Sequence, residues 1–123
     1  MDKNNRPEVA DFRIEQALLH IRSNIEKTIS REDLSKQASL APNYFSALFR
    51  EATGTTIPKY INAQRVERAK ELLRDPQSRV LFVCHASGFR DQSMFNRSFK
   101  RLVGQTPREF RRSTLYNSQG DKA

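Results

Sequence analysis

The chain contains a short stretch, Phe45-Ser46-Ala47-Leu48-Phe49-Arg50, that recurs fifty positions later as Phe95-Asn96-Arg97-Ser98-Phe99-Lys100. The same spacing continues downstream, where residues of like kind are paired as Gly54/Gly104, Thr56/Thr106 and Tyr60/Phe110. A repeat at a fixed period in a short chain indicates that one supersecondary unit is present twice. The fold is therefore predicted to consist of two related units.

Helical periodicity dominates both copies, and no strand alternation accompanies it. We predict an all-α fold of seven helices, in which two helix-turn-helix subdomains are joined by a long linker helix. The predicted segments are a disordered N-terminus at 1–7, a first subdomain at 8–56, the linker helix at 57–75, a second subdomain at 76–113 and a flexible tail at 114–123.

Capping residues and prolines set the predicted helix bounds. The helices of the first unit are predicted at Glu8–Ile25 with Pro7 near the first turn, from the capping residue Ser30 to Ala38, and from Pro42 to a left-handed Gly54. The linker is predicted at Ile57–Arg74, and the second unit from a cap near Ser78 through Val80–Ser87, then from Asp91 to Gly104, then a short helix opened by Thr106-Pro107.

The apolar residues of the two reading helices define the expected core. Phe45, Leu48, Phe49 and Ala52 are predicted to face inward, as are Phe95, Phe99 and Leu102. The turns differ, because the second contains one more residue, Arg90, and has Gly88 where the first has Ser39. Ser39 must therefore adopt a strained conformation, or the first turn must differ.

Composition limits the partners of the chain. Its 123 residues suffice for one domain or two small subdomains, and its net charge of +8 favours a polyanionic partner. Nucleic acid is the first such partner and an anionic membrane surface the second, while a merely basic protein is the plain alternative. No apolar run approaches the roughly 20 residues of a membrane span, so no membrane partner is expected.

Other chemistries find little support in the sequence. The only cysteine, Cys84, lies in an apolar run and is predicted to be a buried thiol in a chain without intrachain disulfides. His20 and His85, the only histidines, form no metal-ligand spacing with it, and no glycine-rich phosphate loop is present. We therefore expect no metal, no cofactor and no enzymatic activity.

The most specific run is Gly88 to Arg101, GFRDQSMFNRSFKR, followed by Gly104 to Arg111, GQTPREFR. With Arg65-Val66, Ala69 and Leu72-Leu73 in the linker, this pattern resembles the DNA-binding domain of the AraC/XylS family of bacterial transcription regulators. The resemblance extends from about Ile14 to Arg111. Three positions depart from the family pattern: Ser39 at a turn usually occupied by glycine, Ala41 at a usual serine cap, and Cys84 at a frequent alanine.

The resemblance implies a cytoplasmic, nucleoid-associated bacterial regulator of transcription that binds double-stranded DNA. It also implies an activator that contacts RNA polymerase. If the chain is complete, it resembles the stand-alone members that bind DNA as monomers; if it is a fragment, an effector-binding or dimerisation domain is absent. A basic protein-interaction module without specific DNA reading is the alternative, for which Phe82 is either an exposed contact or core.

In a helix-turn-helix, the second helix enters the major groove. The family's base-reading positions fall on Asn43, Ser46 and Ala47 in the first unit, and on Gln92, Ser93, Asn96 and Arg97 in the second. Arg pairs with guanine and Asn or Gln with adenine, so the second half-site is expected to be read more stringently. An internal salt bridge is the alternative role for Arg97.

Basic residues and helix starts near the reading helices are predicted to bind phosphates. They are Arg50, Thr56, Lys59, Lys100, Thr106, Arg108 and Arg111. A linker helix from Ile57 to Arg74 is roughly 27 Å long at about 1.5 Å per residue. Readers set about 34 Å apart meet successive major grooves, so the expected site is asymmetric and about 20 base pairs long. DNA bending is expected if the readers lie closer together.

Overall fold

The computed structural model describes the backbone of residues 11–121 and the side chains of residues 11–115. Over this range it contains seven α-helices and no strand, which confirms the all-α prediction. The helices are α1 Phe12–Ser23, α2 Arg31–Gln37, α3 Pro42–Thr53, α4 Ile57–Leu73, α5 Val80–Ala86, α6 Gln92–Val103 and α7 Pro107–Asp121. The chain divides into two compact units, the first ending at Ile61 and the second beginning at Asn62.

Helix α1 starts later than the predicted Glu8, because Asp11 caps it. The Asp11 carboxylate accepts a hydrogen bond of 2.8 Å from the Arg13 N–H. The helix ends at Ser23, since Asn24 leaves helical geometry while its N–H still bonds the preceding turn. The segment 1–7, including Pro7, lies outside the described residues.

The helix-turn-helix of the first unit is formed by α2 and α3. Ser30 caps α2 as predicted, its hydroxyl accepting from the Asp33 N–H at 3.0 Å. Ala41 precedes Pro42 and gives α3 no side-chain cap, while Gly54 ends α3 in the left-handed region. Between the helices Ser39 has φ 59°, the only positive φ of a non-glycine residue in the part of the chain described. The turn thus keeps its left-handed geometry without the glycine.

The core of the first unit joins α1 to the helix-turn-helix. It contains Ile14, Leu18 and Ile21 of α1 and Ile25 just beyond that helix, together with Leu34, Phe45, Phe49, Ile57 and Ile61. The rings of Phe45 and Phe49 lie 6.2 Å apart, and Phe49 meets the edge of Tyr60 at 5.8 Å. These aromatic side chains therefore serve packing, as predicted.

The second unit repeats this aromatic arrangement. Phe95 and Phe99 lie 5.8 Å apart, and Phe99 meets Phe110 edge-on at 5.6 Å. The prediction that Leu102 is buried is wrong, because its side chain is 47% exposed. Val103, four residues after Phe99 and so on the same helical face, packs against the core instead.

Two helix ends of the second unit also differ from the prediction. Ser78 is not the cap of α5: that position belongs to Arg79, whose side chain makes no capping bond. The Ser78 hydroxyl instead donates to the Leu72 carbonyl at 2.9 Å. Helix α7 is longer than expected and continues through most of the predicted tail to Asp121, since no proline follows Pro107 to stop it. Residues 122 and 123 lie outside the described range.

Candidate nucleic-acid interface

One face of α3 carries the three predicted base-reading residues of the first unit. Asn43 and Ala47 are exposed and Ser46 is half-buried. Their spacing of three and four residues places them together on a single helix face. The first turn of α3 has no acidic residue, so nothing in it opposes a nucleic-acid backbone.

The matching face of α6 is richer in hydrogen-bonding groups. The predicted base-reading residues Gln92, Ser93, Asn96 and Arg97 are all exposed. Within the described residues no ion pair or hydrogen bond engages the Arg97 guanidinium. The structure therefore gives no support to the alternative in which Arg97 forms an internal salt bridge. Asp91 caps α6 by accepting from the Met94 N–H at 2.7 Å, which orders the helix start beneath these side chains.

Arg31, at the start of α2, was not among the predicted site residues, yet it contacts two of them. Its Nη1 donates to Asn43 Oδ1 at 3.3 Å and to Ser46 Oγ at 3.5 Å. Its Nη2 also lies 3.4 Å from a Glu32 carboxylate oxygen. The sequence offered no local signal for these contacts, because twelve or more residues separate Arg31 from Asn43 and Ser46.

Four of the predicted phosphate-binding cations are exposed near the ends of helices. Arg50 and Lys100 are exposed in the last turns of α3 and α6. Lys59 and Arg108 are exposed in the first turns of α4 and α7. Arg50 and Lys100 occupy matched positions of the repeat, whereas Lys59 corresponds to Glu109 and Arg108 to Pro58.

The starts of α4 and α7 are capped differently. Thr106 and Glu109 form a reciprocal capping box: the Thr106 N–H donates to Glu109 Oε1 at 2.9 Å, and the Glu109 N–H donates to Thr106 Oγ1 at 3.1 Å. In the first unit Lys59 occupies the matching position, and its N–H donates to Thr56 Oγ1 at 3.3 Å. The first unit therefore has a cation where the second has a carboxylate.

This difference bears on the predicted phosphate role of Thr106. The hydrogen bond from the Thr106 N–H lowers the pKa of Glu109, and the charges of Lys100 and Arg112 lower it further. The Thr106 N–H therefore already has an anionic partner within the protein, whereas Thr56 has no carboxylate three residues on. The phosphate roles of both threonines stay predictions.

Arg111, another predicted phosphate ligand, makes hydrogen bonds within the protein. Its Nε donates to the Leu73 carbonyl at 3.1 Å, and its Nη2 donates to Ser78 Oγ at 2.7 Å and to the Asp75 carbonyl at 3.3 Å. The half-buried guanidinium therefore ties α7 to the end of α4. The Leu73 carbonyl that it bonds belongs to the last turn of α4, whose carbonyls have no partner within the helix.

Two further arginines of the second unit lie close together. Burial lowers the pKa of the Arg65 guanidinium, and the nearby charge of Arg90 lowers it further. Arg90 is the additional residue of the second turn, and its proximity to the linker helix was not predicted. Both side chains add positive charge to the unit that contains α6.

Other kinds of site find little support in the same part of the chain. No group of three or more His, Cys, Asp or Glu side chains is assembled there that could hold a metal ion. None of the helices in the described range combines the length and apolarity needed to cross a bilayer. Cys84 is fully buried, and this burial raises the pKa of its thiol. On α5, Leu81 and Phe82 are 53% and 58% exposed, so Phe82 is not core.

Comparison with known sequences gives the same organisation. The family described as "helix-turn-helix domain" matches residues 34–113. The melibiose operon regulatory protein of Escherichia coli K12 is 29% identical over 117 residues, which make up 95% of this chain and 39% of that protein. The chain thus spans about two fifths of that relative's length. The transposon Tn10 TetD protein of Escherichia coli is 32% identical over 103 residues, 84% of this chain and 75% of that protein.

Solved structures share the fold. A transcriptional regulator from Chromobacterium violaceum with an AraC-type DNA-binding domain superposes with a TM-score of 0.77 at 25% identity, covering 83% of this chain and 91% of that one. The DNA-binding domain of the transcriptional factor AdpA, solved with a target DNA, gives 0.79 at 22% identity, covering 97% and 100%. With its matching family profile and relatives, this chain belongs to the AraC/XylS family of helix-turn-helix transcription regulators.

Proposed function

We propose that this chain binds a specific double-stranded DNA sequence by placing α3 and α6 in successive major-groove segments of one asymmetric site. The observation that carries the proposal is the pair of matched, outward faces on α3 and α6, which lie at equivalent positions of a repeat and present different polar groups. The likeness to a domain solved with its target DNA supports the same use of this fold.

The chemistry of the two faces supports unequal reading of the half-sites. In the second unit the Arg97 guanidinium can donate two hydrogen bonds to a guanine, and the side-chain amides of Asn96 and Gln92 can pair with an adenine. The first unit offers Asn43, the Ser46 hydroxyl and the Ala47 methyl, which discriminate less. We therefore propose that α6 contributes most of the base selectivity and α3 a smaller part.

Positive charge around the readers supports a phosphate-binding role. We assign phosphate contacts to Arg50, Thr56, Lys59, Lys100 and Arg108. Each contact that forms is expected to steepen the dependence of log K on log salt by about 0.9. We further propose that the chain is organised as a first reader at 8–56, a linker at 57–75 and a second reader at 76–113.

Regulation itself is proposed from the family. The relative named for the melibiose operon is a regulatory protein, and by analogy this chain regulates transcription in the bacterial cytoplasm, as an activator that contacts RNA polymerase.

The exposed pair Leu81 and Phe82 favours a second candidate, a protein-interaction role, because apolar side chains exposed side by side are typical of contact surfaces. The two roles are compatible if the interaction accompanies DNA binding.

Selection of bound duplexes from a random pool tests the proposal. The expected result is an asymmetric motif of about 20 base pairs, with its most strongly specified bases in one half. Binding to the selected duplex should exceed binding to a shuffled duplex by at least about 10³-fold and should weaken steeply with salt. Equal binding to selected and shuffled duplexes would contradict specific DNA reading and favour the protein-interaction role.

A further inference from the structure

The first reading helix lacks the group that most often specifies guanine. Where α6 has Arg97, α3 has Ala47. The structure nevertheless places a guanidinium on this face, because Arg31 of α2 reaches Asn43 and Ser46. A cation from the neighbouring helix therefore stands beside the face on which the matched α6 residue is arginine.

The Arg31 contacts hold its side chain over α3 and leave hydrogen-bond donors of the guanidinium available. The bonds to Asn43 and Ser46 are long, at 3.3 and 3.5 Å, and the side chain is 42% exposed. A guanidinium has five donors in a fixed fork, so a bidentate bond to a second partner remains available. Redirecting it costs little, since exposed ion pairs such as that with Glu32 contribute weakly.

Neither helix stability nor the fold explains an arginine at this position. A cation in the first turn of a helix opposes the helix dipole, so Arg31 does not stabilise α2. The matching position of α5 is its first residue, Val80, although the second unit forms the same helix-turn-helix. The second unit thus forms its helix-turn-helix without a guanidinium at this position, since Val80 packs against the core there.

We propose that Arg31 is a specificity-determining residue of the first unit, whose guanidinium bonds a guanine within the base pairs that α3 faces. Asn43 and Ser46 orient the side chain before DNA arrives, which lowers the entropy lost on binding. The inference rests on the proposed function and sharpens it, because the first half-site then contains one strongly specified base despite Ala47.

The test compares selected sequences for the parent, Arg31→Ala, Arg31→Lys and the control Lys36→Ala, which removes one exposed positive charge from the same helix. Arg31→Ala is expected to lose the preference for one guanine in the weaker half-site and to bind the parent's site roughly tenfold less tightly. Against a duplex in which that guanine is replaced, parent and variant should bind equally. Arg31→Lys should keep the parent's salt dependence but weaken the guanine preference, since lysine can reach the same acceptors without the rigid bidentate fork.

Three outcomes would overturn the proposal. An Arg31→Ala variant that weakens every duplex by one factor, as Lys36→Ala would if charge alone mattered, makes Arg31 a phosphate contact. A variant that keeps the parent's motif and affinity makes it a surface residue. Loss of several base preferences together with a lowered melting temperature makes it a structural residue. Failure of the proposed function is distinct, because the parent itself would then select no motif.

Discussion

The two units share a packing frame and differ in the chemistry that the frame carries. Phe45, Phe49 and Tyr60 in the first unit correspond in ring spacing to Phe95, Phe99 and Phe110 in the second. The outward positions have diverged to Ser46-Ala47 against Asn96-Arg97. Interior positions are constrained by close packing, whereas exposed ones are not, so divergence accumulates where DNA would be read.

The divergence extends to the helix that follows each reader. The first unit has Lys59 where the second has Glu109, which closes a capping box. The second unit also has Arg111 bonded to the end of α4, at the position where the first has the buried Ile61. We infer that Lys59 supplies a phosphate contact at the start of α4 that Glu109 cannot supply at the start of α7, and that the second unit contributes more to base selection.

The largest effect is expected from Arg97→Ala. Loss of a bidentate contact should weaken binding to the selected site by roughly 1–3 kcal/mol and relax one base position. Arg101→Ala, an exposed charge on the same helix, is the control and should leave the motif intact. Quantitative gel shifts on the selected duplex and on single-base variants measure both. If the Arg97→Ala variant retains the parent's full preference, the unequal division of reading is wrong.

Arg111→Ala should affect stability next most strongly. Removing a half-buried guanidinium that satisfies two carbonyls and a hydroxyl should lower the free energy of unfolding by about 1–2 kcal/mol. Urea denaturation followed by circular dichroism measures the loss, with the exposed Arg112→Ala as control. Hydrogen exchange should show weakened protection in α7 and the end of α4. Equal loss of protection in α1 and α2 would contradict the assignment of Arg111 to the second unit.

Exchanging the two capping positions tests the inferred difference in phosphate binding. Lys59→Glu should give Thr56 a reciprocal capping partner at the start of α4, and Glu109→Lys should remove the capping box at α7. The first variant is expected to reduce the slope of log K against log salt by about 0.9, and the second to leave it unchanged or steepen it. Salt titrations of duplex binding give both slopes. The slopes of the two variants need not change by equal amounts. A steeper slope for Lys59→Glu than for the parent would contradict the inferred phosphate contact of Lys59.

The turn residues should show a smaller contrast. Ser39 has φ 59°, where a side chain is strained, and Gly88 has φ 98° at the matching position. Ser39→Gly is expected to stabilise the protein by about 0.5 kcal/mol, because relief of strain slightly exceeds the entropy that glycine adds to the unfolded chain. Thermal unfolding at one pH and protein concentration gives the difference. A lower melting temperature would indicate that the Ser39 side chain contributes bonds that offset its strain.

The smallest expected effect is a pH dependence from Glu109. Its pKa is lowered in the folded state, so its contribution is present above the unfolded pKa and is lost as pH falls through the folded pKa. Melting temperatures of the parent should therefore decline slightly more on acidification than those of Glu109→Gln. If the melting temperatures of the two proteins fall equally on acidification, the capping box holds equally well with a neutral side chain.

Much of the architecture followed from local signals. Pro42, Ser30, Asp91 and the glycine at each reader's end act within one helical turn, so the sequence pattern located them. The hydrogen bonds of Arg31 and Arg111 were not predicted, because their partners lie twelve or more residues away in the chain. The Thr106–Glu109 capping box is a local Thr-x-x-Glu pattern that the prediction did not use. Leu102 was misplaced because two adjacent apolar residues compete for one helical face, and only Val103 continues the four-residue step from Phe99.

Cys84 gives the protein an internal reporter. It is the only cysteine in the chain and is fully buried in the second unit, where burial raises the pKa of its thiol. A thiol that is both inaccessible and protonated reacts slowly with alkylating agents and oxidants. Its labelling rate therefore measures how often the second unit opens, separately from the first, and the folded protein should resist oxidative inactivation through this residue.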